Sequence, residues 1–189
     1  MILGGIIAVL IPFALAGIII HLQLTASLIA VTKEKSVHTA KHVAGLIEAT
    51  LMQEIKLATA IAANRHIIEA ARKEDYADIQ YTIETIYSKI SRDYFTLFFL
   101  DKNGTARADA YFRNNTDLNL SEREYFQNAK AGKTSVAGPI PSKDSKNPGE
   151  PIVVVSAPIE DQGEFLGMIG IPYNMDFIID IISASQEGE

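Results

Sequence analysis

The chain changes character at Lys33, its first charged side chain. Residues Ile2 to Ile20 are wholly apolar, with Gly and Pro12 included. At about 1.5 Å of rise per residue, a helix of that length matches a bilayer core of roughly 30 Å. A transmembrane helix is therefore predicted over residues 1–31. Two rival readings exist. Ala14-Leu15-Ala16 offers a signal-peptide cleavage site, but no basic residue precedes the run and cleavage there would leave Gly17-Ile18-Ile19-Ile20 as an apolar tail. A buried core helix fits poorly, because the run has no polar face.

Beyond the run the pattern is that of water-soluble elements. Val37, Ala40, Ala44, Ile47, Leu51, Ile55, Ala58 and Ala62 recur at spacings of three and four, forming one stripe on a long stalk helix from about Thr32 to Asn64. The stripe can pack on its own domain or pair with the same helix of a second chain, making a homodimer. A second helical stretch, from about His66 to Arg92, carries Ile67, Ala70, Ala71, Ile79, Ile83, Ile86 and Ile90, with Lys73-Glu74-Asp75 as a polar break.

From Tyr94 the period shortens. Phe95 to Leu100 and Thr105 to Phe112 read as strands joined by Asp101-Lys102-Asn103-Gly104, a turn with Gly suited to positive φ. Further strands are predicted at Thr134 to Ile140, Pro151 to Ile159 and Phe165 to Tyr173, the last two joined by Glu160 to Glu164. Ser142 to Gly149 reads as a polar loop with the flexibility of a lid. Ser121, followed by Glu124 three residues on, has the form of a capping box, which predicts a short helix beginning there and ending at Gly132. Helices followed by consecutive hairpins give an α+β class with an antiparallel sheet of about five strands.

Charge and composition narrow the chemistry. The net charge of −6 falls entirely on the part from Lys33 onward, and no basic block is present, which argues against nucleic acid as a partner. Cysteine is absent, so disulfides and thiol nucleophiles are excluded. His38 and His42 stand four apart on a helix, but no Glu lies between them as in a zinc hydrolase, and they read as solvated histidines. Asp101-x-Asn103-Gly104 has too few carboxylates for a calcium loop. No phosphate-cradling loop and no acid–base or nucleophile constellation is visible, so neither a cofactor nor an enzymatic activity is expected.

Arg123 offers a planar fork of donors suited to a carboxylate, and Tyr125 and Phe126 supply an aromatic wall and one hydroxyl. The alternatives are an ion pair of Arg123 with Glu122 and plain core packing of the two aromatics. Arg107, Asp109 and Tyr111 share one sheet face by the two-residue period, and that face either lines a hollow or meets solvent. Ser156 and Tyr173 are placed to reach the same hollow from the later strands.

The segment Asn119 to Lys133, the Asp101-x-x-Gly104 hairpin and the run Pro158-Ile159-Glu160-Asp161-Gln162-Gly163-Glu164-Phe165-Leu166-Gly167 occur together in one order. In this the chain resembles the Cache family of extracytoplasmic sensor domains, especially the double Cache type, over essentially Thr32 to Ser183. The resemblance implies a long helix after a transmembrane helix, then a PAS-like sheet whose hollow binds a small ligand. It also implies a setting in chemoreceptors, sensor histidine kinases or diguanylate cyclases, with the sensor outside the cytoplasmic membrane.

Lys33, Lys35 and Lys41 would by themselves place the soluble part in the cytoplasm, but that rule weakens for long domains. The resemblance therefore takes precedence on orientation. In family members that bind amino acids, an Arg and an aromatic matching Arg123 and Tyr125 hold the carboxylate. A later Tyr, falling near Ile140, assists, and an Asp falling among Ile171, Pro172 and Tyr173 holds the ammonium. Both are missing here, so an organic anion or another small polar solute is the expected ligand. By the same resemblance, residues 32–183 form the membrane-distal module, with Met175 to Ser183 as its exit helix. Residues 184–189 then begin a linker to a second module of a longer receptor.

Overall fold

In the computed structural model, the described residues are 2–90, 95–111, 117–143, 148–176, 179–180 and 183, with the side chains of 2–20 and 22–32 outside that set. The chain divides into two units, Met1–Gly45 and Leu46–Glu189. Helix α1 is assigned over Ile2–Ala62. Among the described residues no helix is long and apolar enough to cross a membrane. The span predicted over residues 1–31 falls, His21 apart, on residues whose side chains are outside the described set, and part of the exit helix and the whole of 184–189 also lie outside it.

The second unit carries the sheet. Helices α2 (Arg65–Arg72) and α3 (Tyr76–Ile90) are separated by the polar break expected at Lys73-Glu74-Asp75. Each start is capped by a side chain: Asn64 accepts from the His66 N–H at 2.9 Å, and Asp75 accepts from the Asp78 N–H at 3.1 Å. Strands β1 (Phe98–Asp101), β2 (Ala106–Asp109), β3 (Ser135–Pro141), β4 (Pro151–Asp161) and β5 (Glu164–Asn174) follow, with helix α4 (Glu124–Lys130) between β2 and β3. They form one five-stranded sheet of order β2-β1-β5-β4-β3, and every pairing is antiparallel.

Local chemistry fixes the hairpins. Asp101 Oδ1 accepts the N–H groups of Asn103 at 2.8 Å and Thr105 at 3.0 Å, closing the first turn, and Gly104 takes the positive φ of 79°. The second hairpin is tighter than expected. Glu160 and Asp161 pair with Phe165 and Glu164, leaving only Gln162 and Gly163 in the turn, at φ 52° and 83°.

The two-residue period sorts the sheet into two apolar faces. Phe99, Val155, Ala157, Ile159, Ile169, Ile171 and Tyr173 pack with Ala58, Ile61 and Ala62 of α1, with Ile67 of α2, and with Ile79 and Ile83 of α3. Phe98, Leu100, Ala106, Ala137, Ile152, Val154 and Met168 face the other way, toward Tyr125, Phe126 and Ala129 of α4. Each buried Val, Leu, Ile, Phe or Met side chain among these contributes roughly 1.5–3 kcal/mol, so both faces of the sheet add to its stability.

The start of α4 differs from the expected capping box. Ser121 Oγ donates to Asn119 Oδ1 at 2.6 Å, and the N-cap is Arg123, whose side chain makes no capping bond. A nearby amide oxygen has captured the hydroxyl that would have capped the helix. The C-terminal end is as expected: Gly132, at φ 75°, donates to Ala129 O at 2.9 Å, and Lys133 N–H donates to Asn128 O at 2.9 Å.

Candidate functional site

A hollow lies on the α4 face of the sheet, with about 560 Å³ of empty space when its open mouth is counted. Its floor is Phe98, Val154, Ile152 and Pro172, and its walls include Leu118, Leu120, Tyr125 and Ile140. Five polar residues reach it: Thr96, Asp109, Arg123, Ser142 and Lys143. An apolar chamber with a few convergent polar groups is the usual form of a small-molecule site.

Arg123 enters the hollow because it is the N-cap and not part of the helix. Its backbone is extended, at φ −72° and ψ 138°, which turns the side chain toward β3, where Nη2 donates to Pro141 O at 3.0 Å. Its Nε is buried and has no hydrogen-bond partner among the described residues. Such a buried donor costs about 1–3 kcal/mol when left unmet. Glu122, offered as an ion-pair partner by the sequence, makes no salt bridge to Arg123 among the described residues.

Tyr125 lines the hollow and is 4 % exposed, with its ring edge-on to Phe98 at 6.2 Å between centroids. Burial pushes its phenol up to about 12, with Arg123 pulling weakly the other way. The unfolded phenol ionises near its ordinary value of 10.0 and the folded one at about 12. Between these values the unfolded chain has released a proton that the native chain keeps, so stability falls as pH rises through the window, by about 3 kcal/mol in all. Tyr125→Phe is expected to flatten this part of the curve. Denaturant midpoints from about pH 9 to about pH 12 check it, and parallel curves for the two proteins would refute it.

Of the other sequence-chosen residues, Asp109 also lines the hollow, and the rest lie elsewhere. Phe126, 1 % exposed, packs edge-on against Phe165 at 5.9 Å beneath α4. Ser156 is fully buried and ties α4 to the sheet, its Oγ 3.3 Å from Tyr125 O and 3.1 Å from Ser135 Oγ. Tyr173 faces the opposite side, where its hydroxyl donates to Glu54 of α1. The register explains the split: Val154 pairs with Pro172 and Val153 with Tyr173, so Pro172 points into the hollow and Tyr173 away from it.

Arg107, Asp109 and Tyr111 do not share a face. Phe99 pairs with Ala108 and Leu100 with Ala106, which leaves Arg107 as the extra residue of a bulge. Arg107 turns to Asp101 at 2.9 Å and Asp117 at 2.6 Å, with its guanidinium 5.4 Å from the Tyr76 ring centre. Tyr111 lies past the end of β2, 59 % exposed, against the Tyr87 ring at 6.1 Å.

The sequence reading missed Thr96, Ser142 and Lys143. A lysine opening the polar loop after β3 was the available signal for the last. The hydrogen bonds Ser142 N–H to Glu150 O at 2.8 Å and Gly149 N–H to Ser142 O at 2.9 Å close the base of that loop and hold Lys143 at the rim. Residues 144–147 of the expected lid lie outside the described residues. Ile140 lines the hollow, and of Ile171, Pro172 and Tyr173 only Pro172 does. Among the described residues no group of three or more metal-ligating side chains occurs.

The fold recurs in solved structures. The sensor domain of the Vibrio cholerae histidine kinase DctB superposes with a TM-score of 0.65 at 17% identity, covering 79% of this chain and 58% of that one. The ligand-binding domain of the Campylobacter jejuni chemoreceptor Tlp3, in complex with L-norvaline, gives 0.61 at 12% identity, covering 76% and 59%. That of the Pseudomonas fluorescens chemoreceptor CtaA, in complex with L-alanine, gives 0.59 at 18% identity, covering 76% and 60%. The chain thus spans about 58–60% of the length of these structures. Among curated proteins no sequence matches. A family model described as Cache domain matches residues 22–189, and the chain belongs to that family.

Proposed function

We propose that this Cache domain is the extracytoplasmic sensing module of a transmembrane receptor of the chemotaxis or signal-transduction type, and that its ligand is a small organic anion. The carrying observation is Arg123, which lines an apolar hollow with Lys143 at the rim and whose buried Nε has no hydrogen-bond partner among the described residues. A carboxylate supplies a charged acceptor for the Arg123 guanidinium, and the apolar walls accept the body of the ligand. The module is a binding module, not a catalytic one.

Family membership supports small-ligand sensing, and the neighbours crystallised with L-norvaline and L-alanine bind amino acids. The missing Asp among Ile171, Pro172 and Tyr173 argues against an α-amino acid held in the usual way, because none of these side chains is a carboxylate that could pair with an ammonium, and near Ile140 the assisting Tyr hydroxyl is missing as well. The reading places residues 1–31 across the cytoplasmic membrane, on the strength of the apolar run Ile2 to Ile20.

Signalling requires the ligand to favour one of two conformations. Strand β5 is suited to relay such a shift, because Pro172 touches the hollow while its neighbour Tyr173 holds Glu54 of α1 on the other face. The second reading is a tethered assembly domain whose long helix dimerises. Val37 and Met52, each 47 % exposed on α1, favour it.

A thermal-shift and calorimetric screen of short organic acids on the full chain in detergent tests the first reading. At least one carboxylate is expected to bind and raise the unfolding midpoint. Carboxylates failing as a class while neutral solutes of the same shape bind would overturn it.

A further inference from the structure

The polar groups of the hollow fall into two sets. The first is committed to the fold. Thr96 Oγ1 donates to Asp109 Oδ1 at 2.6 Å, and the Tyr111 N–H reaches both, at 3.0 Å from Asp109 Oδ1 and 3.2 Å from Thr96 Oγ1. The Gln80 side chain of α3 also holds the Asp109 backbone, accepting from its N–H at 2.9 Å and donating to its C=O at 2.8 Å. Ser142, 6 % exposed, is tied into the base of its loop through its N–H and its C=O.

The second set sits at one end. Arg123 bonds to Pro141 of β3, and Lys143 follows Pro141 by two residues, so both cations lie on the β3 side. Tyr125, close enough for the Arg123 charge to act on its phenol, belongs to this end too. Lys143 is exposed, and its hydrated ammonium suits drawing an anion to the mouth better than fixing one. Arg123 is the buried donor, and its Nε has no hydrogen-bond partner among the described residues.

Across the rest of the sheet the lining is apolar. Phe98 of β1, Ile152 and Val154 of β4 and Pro172 of β5 make the floor, with Leu118 and Leu120 in the walls. A hydroxyl, ammonium or second carboxylate carried among these side chains gives up its water without meeting a donor or acceptor. A methylene in the same place gains from leaving water.

We infer that the hollow takes a monocarboxylate with an apolar body, its carboxylate on Arg123 and its chain or ring against Phe98, Leu118, Val154 and Pro172. This rests on the anion-sensing reading above and narrows it. The polar chemistry of the ligand is confined to one end, so hydroxy acids, amino acids and dicarboxylates of similar length are the disfavoured anions.

The test uses ligands that differ at the far end. Titration calorimetry on the full chain in detergent, with a protein-free blank, compares propionate, butyrate and valerate with γ-hydroxybutyrate, γ-aminobutyrate, succinate and neutral valeramide. Affinity is expected to rise about threefold with each methylene from propionate to valerate, and the heat-capacity change to grow more negative along the series. Valerate is expected to bind about tenfold or more tighter than γ-hydroxybutyrate, which has a hydroxyl in place of the terminal methyl. The charged ends of γ-aminobutyrate and succinate are expected to be rejected more strongly still, because a buried charge costs more than a buried hydroxyl. Leu118→Ala, at a half-buried position of the wall, is expected to reduce the advantage of valerate over propionate and to leave propionate near its wild-type affinity.

Arg123→Ala separates the two readings. If valerate binds equally well to that variant, or if valeramide matches valerate in the wild type, the anion-sensing reading itself fails. If the acids depend on Arg123 but a polar-ended acid equals or exceeds valerate, or affinity does not rise from propionate to valerate, only the present inference fails. A Leu118→Ala protein that keeps the full advantage of valerate overturns the placement of the chain on that wall. No binding of any acid at millimolar concentration overturns both.

Discussion

Gly167→Ala is expected to destabilise the domain by about 3–5 kcal/mol, a large fraction of the stability of an ordinary domain, as the sum of backbone strain and overpacking. Gly167 lies in β5, between Ile159 of β4 and Asp101 of β1, with φ at 151°. A Cβ there would stand 2.4 Å from Leu100 O and 2.8 Å from the Phe99 ring. A ring at its far end can swing aside, but a carbonyl oxygen in the middle of a ladder cannot move without breaking the β1–β5 pairing. That pairing also carries Phe98 to the hollow.

Gly163→Ala is the matched control. It too has a positive φ, 83°, but nothing within 4 Å of the added carbon, so it is expected to cost only about 1 kcal/mol from backbone strain. Denaturant titration of the three proteins gives the comparison. A Gly167→Ala protein within about 1 kcal/mol of wild type would show that the sheet yields there and that the close approach is not required.

How far the sequence carried the fold follows from which features are local. The hairpin at Asp101 to Gly104 and the turn at Gln162-Gly163 are set by residues that bond to or bend their own neighbours, so they could be read in order along the chain. The break between α2 and α3 was legible for the same reason. Features that depend on a partner strand were not. Arg107 leaves the face it should share with Asp109 only because β1 pairs with a shifted register, and no residue in β2 announces that bulge.

Ser156 and Tyr173 were assigned to one hollow although they lie on opposite faces. Their parity is settled by the pairing of Ser156 with Gly170 and of Val153 with Tyr173, which the chain order does not state. The α4 start failed in a different way. Ser121 and Glu124 had the right spacing for a capping box, and Asn119 outcompeted it two residues upstream. The displacement matters for function, because it is what frees Arg123 to leave the helix axis and reach Pro141.

That freedom underlies the largest expected effect on binding. Replacing Arg123 with alanine is expected to weaken carboxylate binding about a hundredfold or more, since charge-assisted bonds to a desolvated anion are worth about 1.5–3 kcal/mol each. Stability of the unliganded protein is expected to change little. The lost Nη2 bond to Pro141 O at 3.0 Å is offset by removal of a buried Nε that has no partner among the described residues. The two readouts together distinguish a binding role from a structural one. A guanidinium that served the fold would give a lower denaturation midpoint with unchanged affinity.

Arg123→Lys sharpens the comparison. An ammonium keeps the charge but cannot span a carboxylate with two parallel donors, so it is expected to recover only part of the affinity. Calorimetric titration of wild type, Arg123→Ala and Arg123→Lys with one bound carboxylate measures all three. Full recovery by lysine would mean that charge alone draws the ligand, with no fixed geometry at the β3 side of the hollow. Equal affinity in all three would remove Arg123 from the site, and with it the reason to regard the chamber beneath α4 as an anion sensor.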